Sequence, residues 1–152
     1  MVVLPWGTPV VPSNREEAEL LAPLLSLLAR TNRINPSTIV KLEMPWNGRR
    51  IDLATMSRSL TTTAYELKLS SIQRAIEQAS YSRLSFDRSW VVTVGRTSEG
   101  ALAEARRVGV GVISSIEGEL RVVAVAQRQP RTSASIRARL IHQFRGSVGA
   151  DV

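Results

Sequence analysis

Two carboxylates and one amine alternate with apolar side chains in two neighbouring segments of this sequence. In residues 64–70, AYELKLS, Glu66 and Lys68 share one face of a predicted strand, because successive side chains point to opposite faces. In residues 49–57, RRIDLATMS, we expect Ile51 and Leu53 to share the apolar face and Asp52 to lie on the other. If the two strands pair, Asp52 meets Glu66 and Lys68 in one cluster.

Such a cluster contains the groups that metal-assisted hydrolysis needs. Neighbouring carboxylates repel each other unless a cation lies between them, and oxygen ligands suit Mg²⁺. A lysine beside the metal can orient or deprotonate a water, and a metal with a positioned water is what phosphodiester hydrolysis requires. Exposed strand faces also alternate charges without any chemistry, so at this point a solvated strand face is the competing interpretation.

The elements that would position these residues follow in the order αβββαβαββα. This order predicts an α/β fold, with a mixed central β-sheet flanked by helices, an αβββαβ core, and a C-terminal β-hairpin and helix. Asn47-Gly48 between two strand-rich runs indicates a hairpin. The predicted helices cover 15–30, 70–83, 98–108 and 133–145, and the predicted strands cover 38–44, 49–57, 64–70, 90–95, 110–114 and 119–126.

Several local signals predict where the first two helices begin and bend. Ser13 with Glu16, and Ser70 with Gln73, have the spacing of capping boxes. Pro23 lies inside the leucine-rich first helix and is expected to kink or split it. There is no repeat, linker or clear boundary, so we expect one domain over residues 1–152, with 1–12 as an extended arm and 128–152 as a basic helix and tail.

Composition excludes several kinds of chemistry. The 152 residues include no cysteine and one histidine, His142, which excludes disulfides, thiolate zinc sites, iron–sulfur clusters and a multi-histidine metal site within one chain. No apolar run approaches the ~20 residues that span a bilayer, and the first residues lack the basic region of a signal peptide. We therefore expect a cytoplasmic protein with no membrane partner.

The net charge indicates a polyanionic partner. Lys and Arg together number 20 against 13 for Asp and Glu, a formal charge of +7, and only Lys41 and Lys68 are lysines. Arginine favours bidentate phosphate contacts, although a biased genomic base composition would give the same excess of arginine. The arginines that we expect to contact a nucleic acid are Arg49, Arg50, Arg128, Arg131, Arg137 and Arg139. For the C-terminal arginines of this set, a solvated basic face is the equal alternative.

Ile51-Asp52, thirteen intervening residues, and then Glu66-Leu67-Lys68 resemble the PD-(D/E)xK nuclease superfamily, which has the restriction endonuclease-like fold. The αβββαβ core of that superfamily is similar to the order predicted here from residue 15 to about 95. Ile51 stands where proline is usual, and Gln78 and Tyr81 are one residue closer together than in the recombination-exonuclease branch, so no branch is assigned.

The resemblance implies a magnesium-dependent deoxyribonuclease, with Mn²⁺ as a substitute for Mg²⁺. Asp52 and Glu66 would bind the metal and Lys68 would activate the water, with Glu17 as a further metal ligand from the first helix and Gln78 in support. A homodimer or a partner protein would supply specificity. Because such folds can lose activity, the alternative is a non-catalytic nucleic-acid-binding or assembly module. An RNA-directed nuclease is a third possibility.

Overall fold

The computed structural model describes residues 2–12, 15–69, 71–130 and 132–150, with the side chains of 15–18 and 147–150 outside the description. The described residues form a six-stranded mixed sheet, a small two-stranded sheet and four helices. The elements are β1 (Val2–Val3), β2 (Pro9–Val10), α1 (Arg15–Arg30), β3 (Ile39–Trp46), β4 (Arg49–Met56), β5 (Thr62–Lys68), α2 (Ile72–Ser82), β6 (Arg88–Thr93), α3 (Glu99–Val108), β7 (Gly111–Ile116), β8 (Glu119–Ala124) and α4 (Ala134–Ala150).

The strands of the large sheet lie in sequence order, from β3 to β8. Strands β3, β4 and β5 are antiparallel neighbours, β5, β6 and β7 are parallel, and β8 returns antiparallel to β7. The parallel pairs require crossovers, which α2 and α3 supply. The predicted α/β class, the αβββαβ core and the C-terminal hairpin and helix are confirmed.

The helices cover both faces of the sheet. Tyr65 and Trp90 pack in one apolar cluster with the leucines of α1. Ala64, which points to the other face of β5, packs with the aromatic and aliphatic side chains of α4. Val91 lies on that same face and packs with the alanines of α2 and α3. The candidate residues of β5 therefore lie between one helix on one side and three on the other.

Three local predictions differ from the structure. Helix α1 is continuous through Pro23, because that residue is exposed and only its solvent side loses a hydrogen bond, while the buried leucines hold the helix to the sheet. Helix α2 has Ser71 as its N-cap, with φ 57° and no side-chain capping bond. Residues 2–10 form a hairpin that buries Val2 and Leu4 against α1 rather than an extended arm. Ser13 and Ser70 lie outside the described residues.

Within the part of the chain that is described, no helix combines the length and the apolar character that crossing a membrane requires.

Candidate active site

Asp52 lies where strand pairing stops on both sides of β4. Towards β3, the register passes from Leu42↔Leu53 directly to Met44↔Ile51, so that Glu43 and Asp52 face each other without ladder pairing. Towards β5, pairing begins only at Leu53↔Tyr65. Glu43 has φ 51°, in the left-handed region that a side chain rarely adopts outside functional or strained sites. The backbone around Asp52 is thus released from the regular sheet.

This interruption changes which way the side chains of β4 point. Ile51 packs in the cluster that contains α4, whereas Leu53 packs in the cluster that contains α1. The prediction that Ile51 and Leu53 share one face is therefore wrong, because it assumed an unbroken pleat. Asp52 lines a small crevice with Leu21 of α1 and Leu67 of β5. We call this place, where β4 and β5 stop pairing, the fork. At the fork, Asp52 lies beside side chains of both α1 and β5.

Asp52 lies beside Glu66, and a hydrogen bond links Asp52 to the strand that carries Glu66. A carboxylate oxygen of Asp52 accepts a hydrogen bond from the backbone N–H of Leu67 at 2.8 Å, in place of a ladder bond. Asp52 is close enough to Glu66 for its charge to act on the Glu66 carboxyl group. Glu66 is only 3% exposed, so its carboxyl group depends on these neighbours for its polar contacts.

Burial and the neighbouring carboxylate change the protonation of Glu66. Burial raises its pKa to about 8, and the neighbouring Asp52 carboxylate acts in the same direction. The positive charges of Arg49 and Lys68 lower the pKa in part. Glu66 is therefore mostly protonated at neutral pH, because burial and a neighbouring carboxylate both disfavour its charged form.

Arg49 closes the other side of Glu66. Its Nη2 lies 3.3 Å from Oε1 of Glu66 and donates to the backbone oxygen of Gln78 at 3.2 Å. The amide oxygen of the Gln78 side chain is buried and has no hydrogen-bond partner among the described residues. Arg49 and Gln78, which were expected at a DNA contact and in a supporting position, thus meet at the α2 side of Glu66.

Lys68 is half-buried at the end of β5, on the same face as Glu66. Glu17 lies in α1, four residues before Leu21, but its side chain falls outside the described residues. Among the side chains that are described, no group of three or more metal-ligating residues is found. Asp52 and Glu66 are the two predicted metal ligands whose side chains are described.

Glu43 is a residue that the sequence reasoning missed. It lines the same crevice as Asp52 and faces it across the interrupted ladder. The sequence contained a signal for it. A two-residue turn at Asn47-Gly48 pairs Trp46 with Arg49, and continuing this register by three residues on each strand places Glu43 opposite Asp52.

The other predicted arginines divide into exposed and structural groups. Arg50 and Arg128 are exposed. Arg139 is exposed too, and its guanidinium lies 5.1 Å from the ring centroid of Trp46. Arg137 instead binds the buried Asp87 at 3.3 Å and donates to the backbone oxygen of Leu60 at 2.8 Å. Arg131 lies outside the described residues.

Comparison with solved structures finds related folds. A protein of unknown function from Silicibacter pomeroyi aligns with a TM-score of 0.62 at 17% identity, over 93% of this chain and 89% of that one. SfsA from Pyrococcus furiosus, solved with Ca²⁺, aligns with a TM-score of 0.45 at 15% identity, over 74% of this chain and 64% of that one. EndoMS, solved with double-stranded DNA, aligns with a TM-score of 0.47 at 19% identity, over 74% and 48%.

At these identities the likeness concerns the fold alone, and the chain spans less than two thirds of the length of SfsA and of EndoMS. No protein-family profile and no curated protein matches the sequence.

Proposed function

We propose that this chain is a metal-dependent endonuclease that hydrolyses DNA phosphodiester bonds with an activated water. The observation that supports this proposal is the meeting of Asp52 and Glu66 at the fork of β4 and β5, with Lys68 two residues further along the same face. A buried glutamate next to a second carboxylate is unfavourable for folding by itself, since a buried charge must be neutralised or paired. A site with this cost is expected to serve a chemical purpose.

The donor set fits a hard divalent cation. Asp52 and Glu66 supply carboxylate oxygens, and the proton that Glu66 holds at neutral pH is the one that a cation would displace. We expect these two residues to hold Mg²⁺, or Mn²⁺ as its substitute, with Glu17 as the further ligand from α1. The chemistry that Mg²⁺ supplies when bound is polarisation of the phosphate and stabilisation of its developing negative charge.

The remaining residues act on the water and on the site itself. The Lys68 ammonium would orient the attacking water and offset negative charge that develops at phosphorus. Arg49 holds the Glu66 carboxyl in place through the 3.3 Å ion pair. Gln78 supports Arg49, whose guanidinium donates to the Gln78 backbone oxygen at 3.2 Å.

Charge supports DNA as the substrate. The chain has a formal charge of +7, and Arg50, Arg128 and Arg139 are exposed. Exposed arginines can contact successive phosphates of a strand. Specificity would come from DNA structure, from a second copy of the chain or from a partner protein.

A non-catalytic module that binds nucleic acid is the second candidate. It is favoured by the ion pair between Arg49 and Glu66, which gives Glu66 a positively charged partner within the protein. In that case the acid pair is a structural remnant of the fold and the arginines alone carry the function.

Cleavage assays separate the two candidates. The protein is incubated with single-stranded, duplex and branched DNA in Mg²⁺, in Mn²⁺ and in EDTA, alongside Glu66→Gln and Glu77→Gln. Glu77 is an exposed carboxylate of α2 and serves as the control. The proposal expects metal-dependent cleavage that Glu66→Gln abolishes and Glu77→Gln preserves. Binding without cleavage of any substrate would instead establish the module.

A further inference from the structure

A second polar cavity lies on the opposite face of the sheet from Glu66. It has a volume of about 490 Å³ and is lined by the segment after α1, by the far ends of β4 and β5, and by Arg88 of β6. Thr55 and Thr63, which pair in the register of β4 and β5, lie at its base. Each is three residues from the acid pair along its strand, roughly 10 Å. The cavity is therefore separate from the candidate active site.

Two arginines give this cavity a positive charge. Arg33 and Arg88 both line it, both are half-buried, and no carboxylate among the described residues lines it with them. Neither forms an ion pair within the described part of the chain. Two guanidinium groups that share a concave site without an acid are a common way to bind a phosphate.

Contacts at both ends of the residue fix the position of Arg33. Its backbone N–H donates to the oxygen of Leu28 at 2.7 Å, which closes the last turn of α1, and its guanidinium lies 5.2 Å from the ring centroid of Trp90. Because that carbonyl and the one of Leu27 already accept hydrogen bonds, the end of α1 presents neither of them to an anion. The backbone and the guanidinium of Arg33 are thus both positioned by contacts within the protein.

The charges of both arginines reach the base of the cavity. Burial is the main influence on Tyr65 and raises the pKa of its phenol, and the positive charges of Arg33 and Arg88 oppose that rise. The charges of the two guanidinium groups therefore both act on Tyr65.

Hydroxyl groups provide the remaining polar lining. Ser57, Thr61 and Thr63 line the cavity, and the hydroxyls of Thr61 and Thr63 form no side-chain hydrogen bond within the described residues. Hydroxyls of this kind can donate to phosphate oxygens and accept from sugar hydroxyls. The volume exceeds what a phosphate alone requires and falls within the range of small-molecule sites.

We propose that this cavity binds a phosphomonoester carried on a sugar, with Arg33 and Arg88 holding the phosphate and the serine and threonine hydroxyls holding the sugar. The ligand is either a free nucleoside monophosphate or the 5′-phosphorylated end of a DNA strand, which present the same chemistry. The inference stands whether or not the acid pair cleaves DNA.

Calorimetric titration of the full chain tests the proposal. The probes are deoxyadenosine 5′-monophosphate, deoxyadenosine, and a short oligonucleotide with either a 5′-phosphate or a 5′-hydroxyl. The variants are Arg33→Met and Arg88→Met, with Arg30→Met as control, since Arg30 is exposed at the end of α1 outside the cavity. We expect the monophosphate to bind at least tenfold more tightly than the nucleoside. Each cavity variant should lose at least tenfold in affinity, and Arg30→Met less than twofold.

The oligonucleotides show whether the bound phosphate belongs to a free nucleotide or to the end of a DNA strand. Preference for the 5′-phosphorylated strand, competed by the free monophosphate, identifies a strand end, and binding of the free monophosphate alone identifies a small molecule. Should a variant fail to fold, amide chemical shifts of the wild-type protein replace it, with the monophosphate expected to move Thr61 and Thr63 and not Glu66. Equal binding of nucleoside and monophosphate, no binding of any phosphorylated probe, or equal losses in Arg30→Met would overturn the proposal.

Discussion

The carboxylate of Asp52 accepts a 2.8 Å hydrogen bond from the backbone N–H of Leu67, across the point where β4 and β5 stop pairing. This contact joins the two strands through a side chain where backbone bonds are missing. The residue before Leu67 is the buried Glu66, whose pKa the charge of Asp52 helps to raise. The protonation of Glu66, the stability of the junction between β4 and β5, and the proposed chemistry therefore depend on the same residues.

We expect the metal-free protein to lose stability as the pH rises from about 5 to 8. The pKa of Glu66 is about 8 in the folded chain against 4.5 as its ordinary value, so between these values the folded state binds more protons than the unfolded state. The free energy of unfolding then falls with pH, by up to about 1.4 kcal/mol per unit from this residue. Urea unfolding in EDTA at several pH values measures the slope.

Glu66→Gln should flatten that slope because it removes the titrating proton, whereas Glu77→Gln, at an exposed site, should keep it. An identical slope in wild type and Glu66→Gln would contradict the assignment.

Asp52→Ala should be less stable than Asp52→Asn. Alanine leaves the Leu67 N–H without its 2.8 Å acceptor, which costs about 1–3 kcal/mol for a group away from water. Asparagine has an oxygen that can accept the same bond. Denaturant midpoints of the two variants measure the difference, and neither variant is expected to cleave DNA. Equal stabilities would show that the Leu67 bond contributes nothing.

Lys68→Met should reduce cleavage by about 10²–10⁴-fold and leave Mn²⁺ binding largely intact, since the amine acts on water and developing charge and is not a metal ligand. Lys41→Met is the matched control, because Lys41 is the other lysine of the chain and lies on β3. Single-turnover cleavage and calorimetry with Mn²⁺ provide the two measurements. Loss of Mn²⁺ binding in Lys68→Met would assign the residue a different role.

DNA affinity should fall steeply with salt, and Arg50→Gln, Arg128→Gln and Arg139→Gln should each reduce the slope of log affinity against log salt by about 1. Arg137→Gln should mainly reduce stability, because it leaves the buried Asp87 without its ion pair. Binding isotherms between low and moderate salt, with thermal unfolding alongside, separate these effects. A flat salt response would indicate a protein partner instead.

Local periodicity determined much of this protein before any contact was known. Alternation along AYELKLS placed Glu66 and Lys68 together opposite Tyr65 and Leu67, and the structure has that arrangement. Asn47-Gly48 marked the turn between β3 and β4. These features depend on the pleat of one strand or on the backbone of one turn, and both are properties of a few neighbouring residues.

Tertiary structure decided the features that depend on more than one element. Ile51 and Leu53 point to opposite faces of the sheet because the pairing of β4 with β3 and β5 is interrupted at Asp52. The alternation of residues along one strand cannot predict such an interruption. Arg49 meets Glu66 only because α2 packs beside β5 and offers the oxygen of Gln78. Arg33 and Arg88 are 55 positions apart in the sequence and meet at one cavity because α1 crosses the face of the sheet that β6 helps to form. Periodicity specifies the face of an element, whereas the packing of elements specifies which faces meet.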